Sequence, residues 1–267
     1  MSYKFKDIVG SYKRIGIKKG DNVLIKGDLR YLGNYKNDNT KIEITEAHFK
    51  ALSKIIDLKK GTITVSTASE SICNTNTPFD INKTKSERGS FSEFVRNLKG
   101  SKRSFHPFNS HTSIGKYSKF ICSNNSRNSF GANTPKDRML KLNTKYLIIG
   151  LPPRLTCSYI HHAEMLMGVP YRYTKEFLHP IKTNSIVKKE YFYMYVCYQN
   201  LNLKRNLNVN LFNFLKKNKL KIKSSRLGEG KVFSYDCNEF VNLSCLYLRK
   251  NIYGWLNNPP KKRPYAK

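Results

Sequence analysis

Acidic residues are scarce in this chain. It holds 18 Asp and Glu against 49 Lys and Arg, which leaves +31 over 267 residues. A polycationic partner would meet few counter-charges. Nucleic acid, a phosphorylated cofactor or an anionic surface would meet many. Part of the excess has a second source, because the chain is also rich in Asn, Ile and Tyr, as an AT-rich genome would make it. No apolar run approaches the roughly 20 residues that cross a bilayer, which excludes a transmembrane helix. The N-terminal stretch MSYKFKDIVGSYKRIGIKKGD is interrupted by Lys and Asp and has no apolar core, so it does not read as a signal peptide. None of the six cysteines forms a CxxC pair or has zinc-ribbon spacing. Reduced thiols in a cytoplasmic protein are the simplest account. Hydrophobic residues make up 39% of the chain, which is enough to build a core and excludes wholesale disorder.

Helices and strands interleave along the sequence. Phe5, Ile8, Val9, Tyr12 and Ile15 share one helical face within 3–15. Val23-Leu24-Ile25 reads as a short buried strand, and 45–57 as a helix with Thr45 as its N-cap. A β-branched strand follows at 62–67, then a long polar loop at 69–89 and a helix at 91–98. Residues 104–115 break into polar and aromatic residues. A strand at 146–149, a helix at 158–167, a strand at 191–198 and helices at 210–217 and 238–249 complete the pattern. The class is α/β or α+β, and with no repeat or linker the expectation is one domain over 1–267.

Four stretches carry chemistry. In Ser158-Tyr-Ile-His161-His162-Ala163-Glu164, His161 and Glu164 stand three apart and share a helix face. A carboxylate there can accept from one imidazole nitrogen and raise the basicity of the other, which is what a general base needs. His162 points about 100° away and cannot share that role. An isolated HxxE also fits a pair of packed interfacial histidines. Zinc would need about three or four ligands, and the remaining candidates are scattered. In Arg103-Ser104-Phe105-His106-Pro107-Phe108-Asn109-Ser110-His111, Pro107 holds His106 extended. Ser129-Phe130-Gly131-Ala132-Asn133-Thr134-Pro135 opens a helix capped by Thr134, where an anion could bind. Gly168-Val169-Pro170-Tyr171-Arg172-Tyr173-Thr174-Lys175 is an aromatic, basic turn.

In this order and at these intervals the four resemble the aminoglycoside 3-N-acetyltransferase (antibiotic acetyltransferase) family. Gly20-Asp21 to Gly33, Gly61 to Val65, Phe79-Asp80, Gly89 to Arg96 and Gly115 add to the match, which covers roughly 18–175 with an echo at Leu227-Gly-Glu-Gly230. The resemblance implies an acetyl-CoA-dependent N-acetyltransferase built as a three-layer α/β sandwich, with no metal. It sets His161 as the base and Glu164 as its orienter. Lys26, Arg30, Ser104, His106, Ser110, Gly131 and Thr134 are expected at the cofactor. Phe79, Asp80, Asn109, Tyr171 and Arg172 are expected at the acceptor. Three departures stand out. Lys26-Gly27-Asp28 replaces the family's usual His-Ser-Ser, Asn109 replaces its second histidine, and Leu155-Thr156-Cys157 lacks the Asp often found before the helix. Cys157 has no partner to activate it and reads as a packing thiol.

Charge then bears on the acceptor. A +31 chain suits the phosphates of CoA and a nucleoside-diphosphate amino sugar of the kind used for cell-surface polysaccharide. Acetylation of aminoglycosides is the alternative. A basic nucleic-acid-binding protein is the rival from another class, but the basic residues are spread out and no zinc finger or RNP-like motif is present. The oligomeric state stays open.

Overall fold

A computed structural model describes residues 2–36, 41–206, 208–263 and 265, without the side chains of residues 41 and 42. Among these residues a seven-stranded sheet runs in the order Lys223–Leu227, Gly230–Asp236, Lys145–Ile149, Asn22–Gly27, Thr62–Ser66, His111–Gly115, Lys102–Arg103. The three middle strands are parallel, with Leu24 opposite both Tyr146 and Thr64. The flanking strands are antiparallel.

Side chains alternate across a strand, so each central strand feeds two cores. Val23, Ile25, Ile63, Val65, Leu147 and Ile149 pack on one face against Ile8 and Tyr12 of the helix Phe5–Arg14 and Ala51, Leu52 and Ile56 of the helix Lys41–Ile56. Leu24, Tyr146 and Ile148 pack on the other against Met139, Ile160, Leu211 and Phe240. Both faces are covered, which gives three layers, as parallel strands buried on both sides require. Leu24 is fully buried, so Leu24→Ala would cost about 2–5 kcal/mol.

A second sheet stands apart from the first. Arg172–Thr183 and Ile186–Cys197 form a long antiparallel hairpin, and Phe79–Asp80 adds a short parallel strand. The connection is Asn184-Ser185, with Asn184 at φ 54°, a conformation Asn tolerates in tight hairpin turns. Phe79, Ile181 and Phe192 bury a small core with Phe108 and Ile72.

Several local expectations are corrected. Residues 168–175 are a turn only as far as Gly168, at φ 58°, and its close neighbours; from Arg172 they are strand. The strand expected at 191–198 begins at Ile186. His111–Gly115 is a strand inside the polar and aromatic stretch 104–115, unmarked by any apolar pattern because its buried residues His111, Thr112 and Ser113 are polar. Thr45 is buried inside a helix that starts four residues earlier, so it caps nothing.

Candidate active site

The short helix Ile160–Leu166 packs Ile160 and Ala163 inward, and this turns His161 and Glu164 to one side. The Glu164 side chain is 0% exposed and that of His161 26%. His161 Nδ1 lies 2.9 Å from Glu164 Oε2. The hydroxyl of Tyr171 donates to Glu164 Oε1 at 2.7 Å. Arg172 brings Nε to 2.9 Å from Oε2, an ion-pair distance, although that N–H is not aimed for a hydrogen bond. Its Nη1 donates to the carbonyl of Tyr195 at 3.2 Å.

These contacts fix the tautomer by inference. Arg172 Nη2 stands 3.1 Å from the same His161 Nδ1. A guanidinium only donates and a carboxylate only accepts, so Nδ1 cannot serve both. The buried carboxylate with the shorter contact takes the Nδ1 proton, and Arg172 is left as a charge neighbour. Nε2 then carries the free lone pair.

The ring is also kept uncharged. Burial holds His161 down at about 4; the Glu164 contact opposes this, and Arg172 and Lys136 add to the depression. Glu164 does raise its basicity, as expected, but burial outweighs that contribution. Phe130 and Trp255 flank the ring, with centroids 5.7 and 4.9 Å away, and the water they exclude outweighs the carboxylate.

A cavity of about 590 Å³ opens at the carboxyl ends of the Asn22–Gly27, Thr62–Ser66 and Lys145–Ile149 strands. Lys26, Arg30, Arg88 and the start of the helix Ser90–Asn97 line it. Its acids are engaged: Asp28 binds the Arg30 guanidinium at 2.6 Å, and Glu87 accepts from the backbone of Ser71 at 3.1 Å. Burial and nearby Arg88 bring the Lys26 amine down to about 8, against a pull from Glu70. Lys136 is a second amine, buried, donating to the carbonyl of Ser158 at 2.8 Å and lying over Phe130 at 4.7 Å. Burial depresses it strongly, and Lys26 adds to this. Lys136 in turn lowers both His161 and His162. It therefore stands electrostatically between the cavity and the histidine.

The sequence model of the aminoglycoside 3-N-acetyltransferase family matches residues 24–249. The chain belongs to that family. Membership makes it an acetyl-CoA-dependent N-acetyltransferase. Among solved structures, AAC-VIa bound to sisomicin is 16% identical with a TM-score of 0.79, over 94% of this chain and 98% of that one. AAC-IIIb in its binary complex with CoASH is 16% identical with a TM-score of 0.78, over 97% and 100%. The YokD protein from Bacillus subtilis is 19% identical with a TM-score of 0.76, over 92% and 99%. At these identities the likeness shows the fold. No curated protein matches the chain.

Within this acetyltransferase the expected residues separate into three groups. His161, Glu164, Tyr171 and Arg172 come together, but Tyr171 and Arg172 hold Glu164 rather than offering themselves to an acceptor. Lys26 and Arg30 line the cavity. Beside them Gly27 turns at φ 142°, where a Cβ would lie 2.0 Å from the carbonyl oxygen of Ile149, so no side chain fits there.

The remaining residues are spent on structure. Ser104 Oγ accepts from the amide of His111 at 2.9 Å. Ser110 Oγ donates to the Thr67 carbonyl at 2.8 Å and accepts from Arg103 Nε at 3.0 Å, so it has no donor left for an oxyanion. His106 Nδ1 accepts from the amides of Phe108 and Asn109. Thr134 caps its helix as expected, while Asp137 accepts from the amide of Asn133 at 3.0 Å, so the anion site expected with Gly131 is filled from within. Gly131 turns at φ 89° beneath His162. Asn109 donates to the Ser129 carbonyl at 2.5 Å. Phe79 is core, under the Arg103 guanidinium, and Asp80 accepts from the amides of Asn82 and Lys83. Cys157 packs as expected, its thiol pushed up to about 12 by burial. Lys136 and Trp255 were missed. Lys136 follows the Thr134-Pro135 pair, and only its unusual place at the start of a packed helix could have marked it.

Proposed function

We propose that the chain, acting as one catalytic domain, transfers the acetyl group of acetyl-CoA to a primary amine of an aminoglycoside-type amino sugar, with His161 as general base. The observation that carries this reading is the geometry of His161, whose Nδ1 is locked by the Glu164–Tyr171–Arg172 cluster and whose Nε2 has no partner among the described residues. Acetyl-CoA supplies an acetyl group already activated as a thioester, so no covalent enzyme intermediate is needed. His161 Nε2 accepts the proton that the acceptor nitrogen must lose as its bond to the acetyl carbon forms. Glu164 stabilises the resulting imidazolium, and Tyr171 and Arg172 keep the carboxylate in place. The cavity fits the donor: Lys26 and Arg88 face it as cations for phosphate, and its acids are already paired. The CoASH complex of AAC-IIIb supports the same donor, and the family match with the sisomicin complex of AAC-VIa supports the acceptor class.

A second acceptor is favoured by charge. Glu164 beside His161 is held by Arg172, and the cavity's Asp28 and Glu87 are already engaged by Arg30 and Ser71. That leaves little to attract a polycation, and a nucleoside-diphosphate amino sugar used for cell-surface polysaccharide suits such a site better. Release of free CoA thiol from acetyl-CoA decides between the two. Acceptor-dependent release with a kanamycin-like aminoglycoside is the expected result. Faster turnover of a nucleoside-diphosphate amino sugar would move the assignment to the second acceptor, and no release with any amino sugar would overturn both.

A further inference from the structure

We propose that Trp255 is a positioning residue for the base, closing an aromatic slot around His161 from a strap that follows residues 24–249, the stretch matched by the family's sequence model. The inference rests on His161 being the base. Trp255 meets the imidazole edge to face, at 4.9 Å and 66°. Phe130 stands on the ring at 5.7 Å. Glu164 and Arg172 occupy the Nδ1 side, so the open direction is left to Nε2.

The strap is built to hold the indole there. The amide of Asn206 donates to the Trp255 carbonyl at 3.3 Å, and its side-chain amide donates to the Gly254 carbonyl at 2.9 Å. The amide of Asn257 donates to the Lys204 carbonyl at 2.8 Å, and Arg205 pairs with Leu256 in an isolated bridge. The indole Nε1 donates to Asn208 Oδ1. Asn208 then donates to the carbonyl of Arg154 at 2.6 Å and to Cys157 Sγ at 3.2 Å. That carries the strap back to the loop before the His161 helix. The indole also lies between two guanidinium groups, Arg205 at 4.7 Å and Arg172 at 5.4 Å.

Such a slot acts on the base in two ways. It removes water, which the imidazolium needs more than the neutral ring does. It also restricts ring rotation, so Nε2 keeps its direction. The charged groups around the ring are Glu164 on its own helix, Arg172 from the hairpin, Lys136 behind Phe130 and Arg205 behind Trp255. Burial disfavours the imidazolium most, the Glu164 contact opposes this, Arg172 and Lys136 add to the depression, and the slot supplies part of that burial.

The test is an NMR titration of the histidine side chains in the full-length protein between pH 4.5 and 8, with His161 assigned from His161→Gln. The wild-type resonance should stay flat above about pH 5. In Trp255→Leu it should titrate at least one unit higher, with Trp255→Phe in between. Activity should follow: if the midpoint nears ~6.5, Trp255→Leu loses about tenfold at pH 5.5 relative to pH 8, while the wild type holds. Should Trp255→Leu fail to fold, Asn208→Ala keeps the indole but cuts its anchor, and a smaller upward shift is expected. An unchanged His161 titration in the folded variants overturns the slot. A shifted titration with an unshifted acid limb of activity keeps the slot but removes His161 as the base.

Discussion

The helix Ile160–Leu166 and the loop 103–111 each offer a histidine among polar neighbours in sequence. In the fold they differ. The loop closes most of its polar groups on the fold: Ser104 and Ser110 hold backbone, Arg103 donates to the carbonyls of Thr67 and Thr84 at 2.5 Å each, and His106 holds two amides, while His111 is 1% exposed with neither ring nitrogen hydrogen-bonded. The helix leaves Nε2 of His161 unused on a side chain that is 26% exposed, with Nδ1 engaged by a carboxylate that Tyr171 and Arg172 keep in place. A functional histidine is thus marked by a ring nitrogen that is both left over by the fold and open to a ligand, since His111 leaves two nitrogens unpartnered but is buried, whereas the His161 side chain is partly exposed.

The largest effect expected from this contrast is on turnover. His161→Ala should lower kcat by roughly 10²–10⁴-fold, the usual share of a positioned base, with CoA binding and melting temperature nearly unchanged. Glu164→Gln should cost less in kcat, though it leaves Arg172 buried without its counter-charge and so lowers stability as well. Steady-state kinetics with calorimetric CoA titration checks both. Near-normal kcat in His161→Ala would end the contrast.

The acid response should be shared by the two regions. Burial lowers His106, His161 and His162 each to about 4. Unfolded, each titrates near ~6.5, so the unfolded chain binds more protons between these values. Stability should therefore be full above about pH 6.5 and fall as pH drops from there towards 4, by up to about 3 kcal/mol per histidine. Urea midpoints at pH 7.5 and 5 test the sign. Turnover has a different limb: with neutral His161 as base it should hold until close to pH 4, provided the fold does.

Next in size is His106→Ala. It leaves the amides of Phe108 and Asn109 without their acceptor, at about 1–3 kcal/mol for each one that stays buried. The melting temperature should drop, while kcat in the folded fraction stays within a few-fold. A kcat loss as deep as that of His161→Ala would return the loop to the catalytic machinery.

What could be read from sequence was local. The short apolar run at 23–25, the β-branched run at 62–67 and the apolar run at 146–149 mark buried strands, and the three-residue step from His161 to Glu164 marks a shared helix face. Both need only chain geometry. The roles of Tyr171 and Arg172 were missed because they depend on the hairpin folding its first residues back onto Glu164. Trp255 was missed because it arrives from far along the chain, through a strap whose anchors, Asn206 and Asn208, look like ordinary loop residues. The sign of the His161 shift was missed for the same reason: the flanking rings come from elsewhere.

The smallest expected effect separates two adjacent histidines. His162 shares the helix with His161 and is lowered to the same value, about 4, by burial and by Lys136. Its surroundings differ. It is 1% exposed, packs edge-on against Tyr159 at 6.1 Å, and its Nδ1 faces the amide of Gly131 at a long 3.5 Å. No carboxylate orients it, and it turns about 100° away from the open side. His162→Ala should leave a cavity against Tyr159 and cost stability in the range of about 1–3 kcal/mol, typical of a packed side chain lost with one weak hydrogen bond. Its kcat and acid limb should match the wild type. If His162→Ala instead abolishes turnover while His161→Ala does not, a depressed pKa at this helix does not mark the base, and the free Nε2 of His161 serves some other purpose.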